Sequence, residues 1–197
     1  MSPAPRQVDV IAVGGSAGAV EALGILLEAL PEDFRPAIVA VLHVPADRPS
    51  LLAGVLGSRC RLPVHEAMDK DFMEPGHVYV APPDYHLLIE SDGMLSLSRD
   101  APVAYSRPSI DVMLESAAEA CGERVLGIVL SGANSDGALG SAAIRKAGGR
   151  CWVQDPADAL ASAMPIAAIQ QGADLVLPVR DMAQRLAHLR SGTAFAL

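Results

Sequence analysis

Three polar residues follow short apolar segments of this 197-residue chain: Ser16, His43 and Asp136. A serine, a histidine and a carboxylate can together hydrolyse an ester or amide. The hydroxyl attacks, the imidazole takes its proton, and the carboxylate orients and stabilises the resulting imidazolium. If the fold brings the three together, the sequence predicts a serine hydrolase.

Ser16 lies in Gly14-Gly15-Ser16-Ala17-Gly18, which fits G-x-S-x-G between a predicted strand and a predicted helix. That context is typical of a nucleophile elbow, where small neighbours permit a sharp turn and the serine stands above the sheet. A phosphate-binding turn and simple packing are the competing interpretations. The dinucleotide pattern G-x-G-x-x-G fails because Ser16 replaces its second glycine, and no Gly-Lys-Ser/Thr follows for a Walker loop.

His43 ends the apolar run Ala37–Leu42, where a dinucleotide-binding fold would have an acid. In a parallel sheet the ends of the first two strands are neighbours, so we expect His43 to reach Ser16 as general base. A late histidine, His188, would fit the order of ordinary α/β-hydrolases. It falls on the polar side of the last predicted helix, so we expect it at the surface.

Asp136 lies in the loop Ser131–Gly137, again between a strand and a helix. Open α/β sheets place their sites at the carboxyl ends of strands, which favours Asp136 as the orienting acid. The alternative is a plain N-cap of the helix that follows.

The chain alternates strand-like and helix-like segments, which predicts an α/β fold with a doubly wound, mostly parallel sheet and helices on both faces. An Asp92-Gly93 turn between apolar segments predicts an antiparallel hairpin inserted in this pattern. Ser109 is expected to cap a helix. The predicted strands are 8–13, 37–42, 78–81, 86–90, 94–98, 124–130, 151–153 and 175–177, and the predicted helices are 19–30, 49–56, 109–121, 138–147, 164–171 and 180–189.

Composition excludes several classes of protein. With 51% hydrophobic and 19% charged residues the chain is globular, and we expect one domain over 1–197 with its core at about 8–189. A net charge of −8 argues against a nucleic-acid partner. No apolar stretch is long enough to cross a membrane and no secretory signal is evident, so we expect a cytoplasmic protein. Cys60, Cys121 and Cys151 are widely spaced, which predicts reduced thiols and no metal site.

An ordered series of short motifs runs through the chain. It comprises V-G-G-S-A-G at 13–18, L-H-V-P at 42–45, V-Y-V-A-P-P-D-Y-H at 78–86, S-R-P-S-I-D-V at 106–112, L-S-G-A-N-S-D-G at 130–137, Q-D-P at 154–156 and M-P at 164–165. The series resembles the catalytic domain of chemotaxis-receptor protein-glutamate methylesterases over nearly the whole chain.

The resemblance implies that Ser16 is the nucleophile, His43 the base and Asp136 the residue that orients His43. It implies hydrolysis of glutamate methyl esters on the cytoplasmic helical region of a methyl-accepting chemotaxis receptor, and deamidation of receptor glutamines. No cofactor or metal is needed. The alternatives are a serine esterase or amidase of this fold acting on another protein or a small ester, and a non-catalytic signalling module.

The chain departs from the family pattern at three positions within the motifs. Ala17 replaces a usual threonine, Ala133 a usual methionine, and Val44 the middle residue of His-Met-Pro. Many family members also carry an N-terminal receiver domain, whereas about seven residues precede the first predicted strand here. We therefore expect activity that is not switched by phosphorylation of the same chain.

Overall fold

A seven-stranded parallel sheet forms the centre of the structure, a computed structural model that describes residues 8–44 and 50–189. The strand order is β3-β4-β2-β1-β7-β8-β9, and β5 and β6 form a separate antiparallel ribbon. The strands are β1 (Val10–Gly15), β2 (Ala37–Leu42), β3 (Val64–Glu66), β4 (Val78–Val80), β5 (His86–Ile89), β6 (Leu95–Ser98), β7 (Val125–Val129), β8 (Arg150–Gln154) and β9 (Leu175–Leu177). The helices are α1 (Ala19–Glu28), α2 (Leu52–Gly57), α3 (Ile110–Cys121), α4 (Ala138–Lys146), α5 (Ala163–Gln171) and α6 (Val179–Ala187).

The sheet is covered on both faces, which is why its central strands are apolar throughout. Every residue of β1, β2, β4 and β7 is buried. On β1, Ile11 and Val13 face the core formed with α1, α2 and α6, whereas Val10 and Ala12 face the core formed with α3, α4, α5 and the ribbon. The predicted fold class is confirmed.

One strand differs from the sequence prediction. Strand β3 at the sheet edge was not predicted, because its three residues include the exposed, polar His65 and Glu66. The predicted antiparallel hairpin is confirmed: β5 and β6 pair on either side of Asp92-Gly93, and this ribbon lies outside the sheet and packs against α3, where the amide of Ile89 donates to Ser116 Oγ. The predicted start of α2 at Pro49, and Pro45 of the second motif, lie outside the described residues.

The chain order creates a switch point beside β1. From β1 the chain builds outward through β2 to β4 and β3, and it then returns to place β7 on the other side of β1. The loops after β1 and β7 therefore lead to helices on opposite faces of the sheet, and open α/β sheets bind ligands at such a switch point. No helix within the described residues is long and apolar enough to cross a membrane.

Candidate active site

Ser16 occupies a tight turn between β1 and α1. Its amide donates to the carbonyl of Ser131 at 2.8 Å, and its carbonyl accepts from the amide of Ala19 at 2.9 Å. Both bonds use the backbone, and within the described residues the hydroxyl of Ser16 makes no hydrogen bond. The residue is half-buried.

Two glycines allow this turn to form. Gly18 has a φ of 83°, a left-handed conformation that favours glycine, and a Cβ there would lie 2.6 Å from the Cβ of Leu160. A side chain at Gly14 would overlap Ile110, the first residue of α3. Gly14 therefore lets the start of α3 pack directly against the end of β1, beside Ser16.

His43 lies next to Ser16 at the end of the neighbouring strand. Leu42 pairs with Gly15 in the parallel register, and the amide of His43 donates to the carbonyl of Gly15 at 3.1 Å. Neighbouring strands are about 4.8 Å apart, so Ser16 and His43 start from adjacent backbone positions. The structure shows no hydrogen bond between their side chains.

The His43 imidazole is held by Asp136. The two side chains meet at 2.9 Å between Nε2 and Oδ2, and the histidine side chain is 15% exposed. A carboxylate only accepts hydrogen bonds, so Nε2 carries the proton in the neutral ring. Nδ1 is then the nitrogen left with a free lone pair.

Asp136 does not cap its own helix, which rules out the alternative considered from the sequence. The N-cap of α4 is Gly137, which makes no side-chain capping bond. Asp136 instead accepts from the amides of Ile110 and Asp111, both at 2.8 Å, at the start of α3. Ser109 Oγ adds a bond of 3.0 Å, so with His43 the carboxylate has four donors. The predicted N-cap of α3, Ser109, is confirmed.

These donors keep Asp136 ionised although it is buried. Burial acts to raise the pKa of the carboxyl, but the bonds from His43, Asp111, Ile110 and Ser109 outweigh it and lower the pKa. Asp111 behaves in the opposite way. Burial raises its pKa to about 6 despite a bond from the amide of Gly140, and the nearby charge of Asp136 adds to the rise.

Candidate oxyanion donors lie directly after Ser16. Within the described residues the amides of Ala17 and Gly18 have no hydrogen-bond partner, and Ala17 is exposed. The amide after the nucleophile is the usual donor to a developing oxyanion. The Ser16 amide is already engaged with Ser131 and does not compete.

Sequence reasoning missed the residues that hold this arrangement. Ser131 stabilises the turn that carries Ser16. Its Oγ donates to the carbonyl of Ala17 at 2.6 Å and accepts from the amide of Ala161 at 2.8 Å. His86 and Ser109 support Asp136 from the other side. All three fall within the quoted motifs, but a motif does not reveal which atom meets which.

None of the three departures from the family pattern replaces a member of the candidate triad. Ala17 and Ala133 are exposed, and Val44 is half-buried against the core. None of them contacts Asp136 by a hydrogen bond. His188 is exposed, as expected, and bonds the carbonyl of Gln184.

Within the described part of the chain we find neither a cluster of metal-ligating side chains nor a cysteine placed to act as a nucleophile. No group of three or more His, Cys, Asp or Glu side chains there is placed to hold a metal ion. The three cysteines are free, and burial raises the pKa of the Cys151 thiol to about 11, which disfavours a thiolate nucleophile.

Comparison with known proteins assigns the family. A family model described as CheB methylesterase matches residues 11–186. The chain belongs to the CheB methylesterase family. The crystal structure of the Thermotoga maritima CheB methylesterase catalytic domain superposes with a TM-score of 0.87 at 31% identity, and the match covers 93% of this chain and 100% of that one.

Bacterial relatives of this CheB-family chain differ in length. A Leptospira interrogans protein named for protein-glutamate methylesterase and protein-glutamine glutaminase activity is 41% identical over 177 residues, 89% of this chain and 92% of its own. A Bordetella parapertussis protein-glutamate methylesterase/protein-glutamine glutaminase is 38% identical over 190 residues, and the match covers 94% of this chain but 54% of the relative.

Proposed function

We propose that this chain hydrolyses glutamate methyl esters on a chemotaxis receptor and deamidates receptor glutamines. Ser16 serves as nucleophile, His43 as general base and Asp136 as the orienting carboxylate. The observation that carries the proposal is the 2.9 Å hydrogen bond from His43 Nε2 to Asp136 Oδ2, at the strand end beside Ser16. The CheB family and its named relatives supply the substrate class.

In the first half of the reaction Ser16 attacks the ester carbonyl. His43 Nδ1 takes the hydroxyl proton as the Ser16 Oγ–carbon bond forms, and Asp136 stabilises the imidazolium through Nε2. The amides of Ala17 and Gly18 are placed to stabilise the oxyanion of the tetrahedral intermediate. When the intermediate collapses, the imidazolium returns its proton to the leaving methoxide, and methanol departs.

Water completes the cycle. The acyl-enzyme is an ester between Ser16 and the receptor side chain. His43 takes a proton from water, the resulting hydroxide attacks, and Ser16 leaves with that proton. A glutamine substrate follows the same path with ammonia as leaving group, so one site accounts for both activities.

The charges around Asp136 fit this role. Its lowered pKa means that the carboxylate is negative when the imidazolium forms. It also has four fixed donors, so it does not reorganise during the reaction. We further propose that the chain is one catalytic domain acting in the cytoplasm, where the helical region of the receptor is accessible.

The direct test is release of methanol from a methylated cognate receptor, with a Ser16→Ala variant as control. A serine-reactive phosphonate reports catalytic competence independently of the receptor. Labelling at Ser16 without methanol release would assign an esterase or amidase with another substrate. Absence of both would indicate a non-catalytic module and would refute the proposal.

A further inference from the structure

His86 is a buried histidine whose two ring nitrogens both bind backbone groups. It is 1% exposed. Its Nε2 lies 3.2 Å from the carbonyl oxygen of Ala101, and its Nδ1 lies 3.1 Å from the amide nitrogen of Ser109. A carbonyl can only accept and an amide can only donate, so the ring is neutral with its proton on Nε2.

The bond to Ser109 connects His86 to the candidate triad. The amide of Ser109 donates to His86, and the hydroxyl of the same residue donates to Asp136 Oδ1 at 3.0 Å. The next two amides, of Ile110 and Asp111, also donate to Asp136. His86 therefore holds Ser109 in place, and Ser109 and the two residues after it supply three of the hydrogen bonds to Asp136.

We propose that His86 is a positioning residue for catalysis, because its Nδ1 holds Ser109 and the start of α3 in the register that aims Asp136 at His43. This inference rests on the proposed function of Ser16, His43 and Asp136. His86 touches neither the substrate nor the reacting atoms. Its effect passes through Ser109 to Asp136 and then to the orientation of the base.

A purely structural role would act through the other nitrogen. The bond from Nε2 to the carbonyl of Ala101 would then contribute most to stability, because it holds the segment before α3 against the ribbon. That segment has two further anchors, since the Arg107 guanidinium donates to the carbonyls of Arg99 at 3.2 Å and Asp100 at 3.1 Å. Loss of the Ala101 bond alone should therefore be tolerated.

Two substitutions of His86 separate the two bonds. In His86→Asn the amide oxygen replaces Nδ1 as acceptor for Ser109, and the bond to Ala101 is lost. In His86→Gln the amide nitrogen replaces Nε2 as donor to Ala101, and the acceptor for Ser109 is lost. Each variant removes one bond of a buried, neutral side chain.

The experiment measures kcat and KM for methanol release together with thermal unfolding. We expect His86→Gln to lower kcat by on the order of 10- to 100-fold with KM unchanged, since small displacements of catalytic groups cost that much. His86→Asn should retain a kcat close to that of the parent. Equal losses in both variants, or a greater loss in His86→Asn, would overturn the inference.

A spectroscopic measurement keeps this test independent of turnover. We expect the proton that His43 Nε2 donates to Asp136 to give a low-field proton resonance, which should shift or broaden in His86→Gln and persist in His86→Asn. If the parent releases no methanol, the proposed function fails while the resonance still decides the positioning role. If His86→Gln does not fold, Ser109→Ala tests the next link: a kcat equal to that of the parent would refute the proposal.

Discussion

Asp136 binds the start of α3, the helix that contains Asp111, and Asp111 binds the first turn of α4, the helix that follows Asp136. Asp136 precedes α4 and accepts from the first two amides of α3, and Asp111 in α3 accepts from the amide of Gly140 in α4 at 2.7 Å. The exchange locks the two helix starts together. The same bonds, which at most helix starts serve stability alone, here also hold the carboxylate that we propose for catalysis.

This exchange makes Asp136→Asn costly for stability as well as for catalysis. Whichever oxygen the amide nitrogen replaces, it faces a backbone amide, of Ile110 or of Asp111, so one buried donor loses its acceptor. We expect a loss of about 1–3 kcal/mol in the free energy of unfolding. If the nitrogen faces His43, the ring must carry its proton on Nδ1 and cannot act as a base, so kcat should fall by about 10⁴-fold.

Urea unfolding and methanol release measure the two effects. Asp181→Asn, an exposed carboxylate in the first turn of α6, is the matched control and should change neither. An Asp136→Asn variant with the parent's kcat would exclude Asp136 from the triad.

Ser16→Ala should abolish activity without changing stability. The hydroxyl makes no hydrogen bond within the described residues, so its removal leaves none of them with an unsatisfied partner. Loss of a nucleophile in a well-studied serine protease costs on the order of 10⁶-fold in kcat, and we expect a loss of that size here. Ser135→Ala, an exposed serine in the loop that carries Asp136, should retain both turnover and phosphonate labelling. Activity of Ser16→Ala within tenfold of the parent would require another nucleophile.

The sequence predicted the sheet and the convergence of Ser16, His43 and Asp136 because both depend on local signals. Apolar runs and glycine-rich turns mark strand ends, and parallel topology brings those ends to one edge. The supports of the site could not be predicted in this way. The bond from Ser109 to Asp136 joins residues 27 apart and the bond from Ser131 to Ala17 joins residues 114 apart, and their geometry exists only after packing.

Ser131→Ala should lower kcat more than the loss of a similarly hydrogen-bonded serine hydroxyl away from the site. The Ser131 hydroxyl donates to the carbonyl of Ala17 and accepts from the amide of Ala161, so it ties the elbow to the loop before α5. Ser116 offers a control, because its hydroxyl also donates to a carbonyl, of Met113, and accepts from an amide, of Ile89.

Both serine variants should lose about 1–2 kcal/mol of stability, as the net value of such bonds implies. Only Ser131→Ala should lower kcat, by on the order of 10- to 100-fold, because only it displaces the turn that holds Ser16. Unfolding by urea and initial rates of methanol release give the comparison. Equal kcat values for the two variants would show that the elbow does not depend on Ser131.

The free energy of unfolding should depend on pH because Asp111 titrates at a different pH in the folded and unfolded chains. Its pKa is raised from 3.8 to about 6 in the folded chain, so between about pH 4 and pH 6 the folded state binds a proton that the unfolded state has released. The free energy of unfolding therefore falls as pH rises through this window, by about 3 kcal/mol in total at about 1.4 kcal/mol per pKa unit. The lowered pKa of Asp136 acts at more acid pH, where its protonation removes stability as pH falls.

Asp111→Asn isolates the effect. The amide oxygen can still accept from Gly140, but the group no longer titrates, so the stability of the variant relative to the parent should increase from pH 4 to pH 6 and then level off. Asp181→Asn again provides the exposed control, with no such trend expected. Urea unfolding at half-unit pH intervals gives the measurement. A constant difference between Asp111→Asn and the parent across this range would mean that Asp111 ionises in the folded chain as it does in the unfolded one, and that its burial beside Asp136 carries no electrostatic cost.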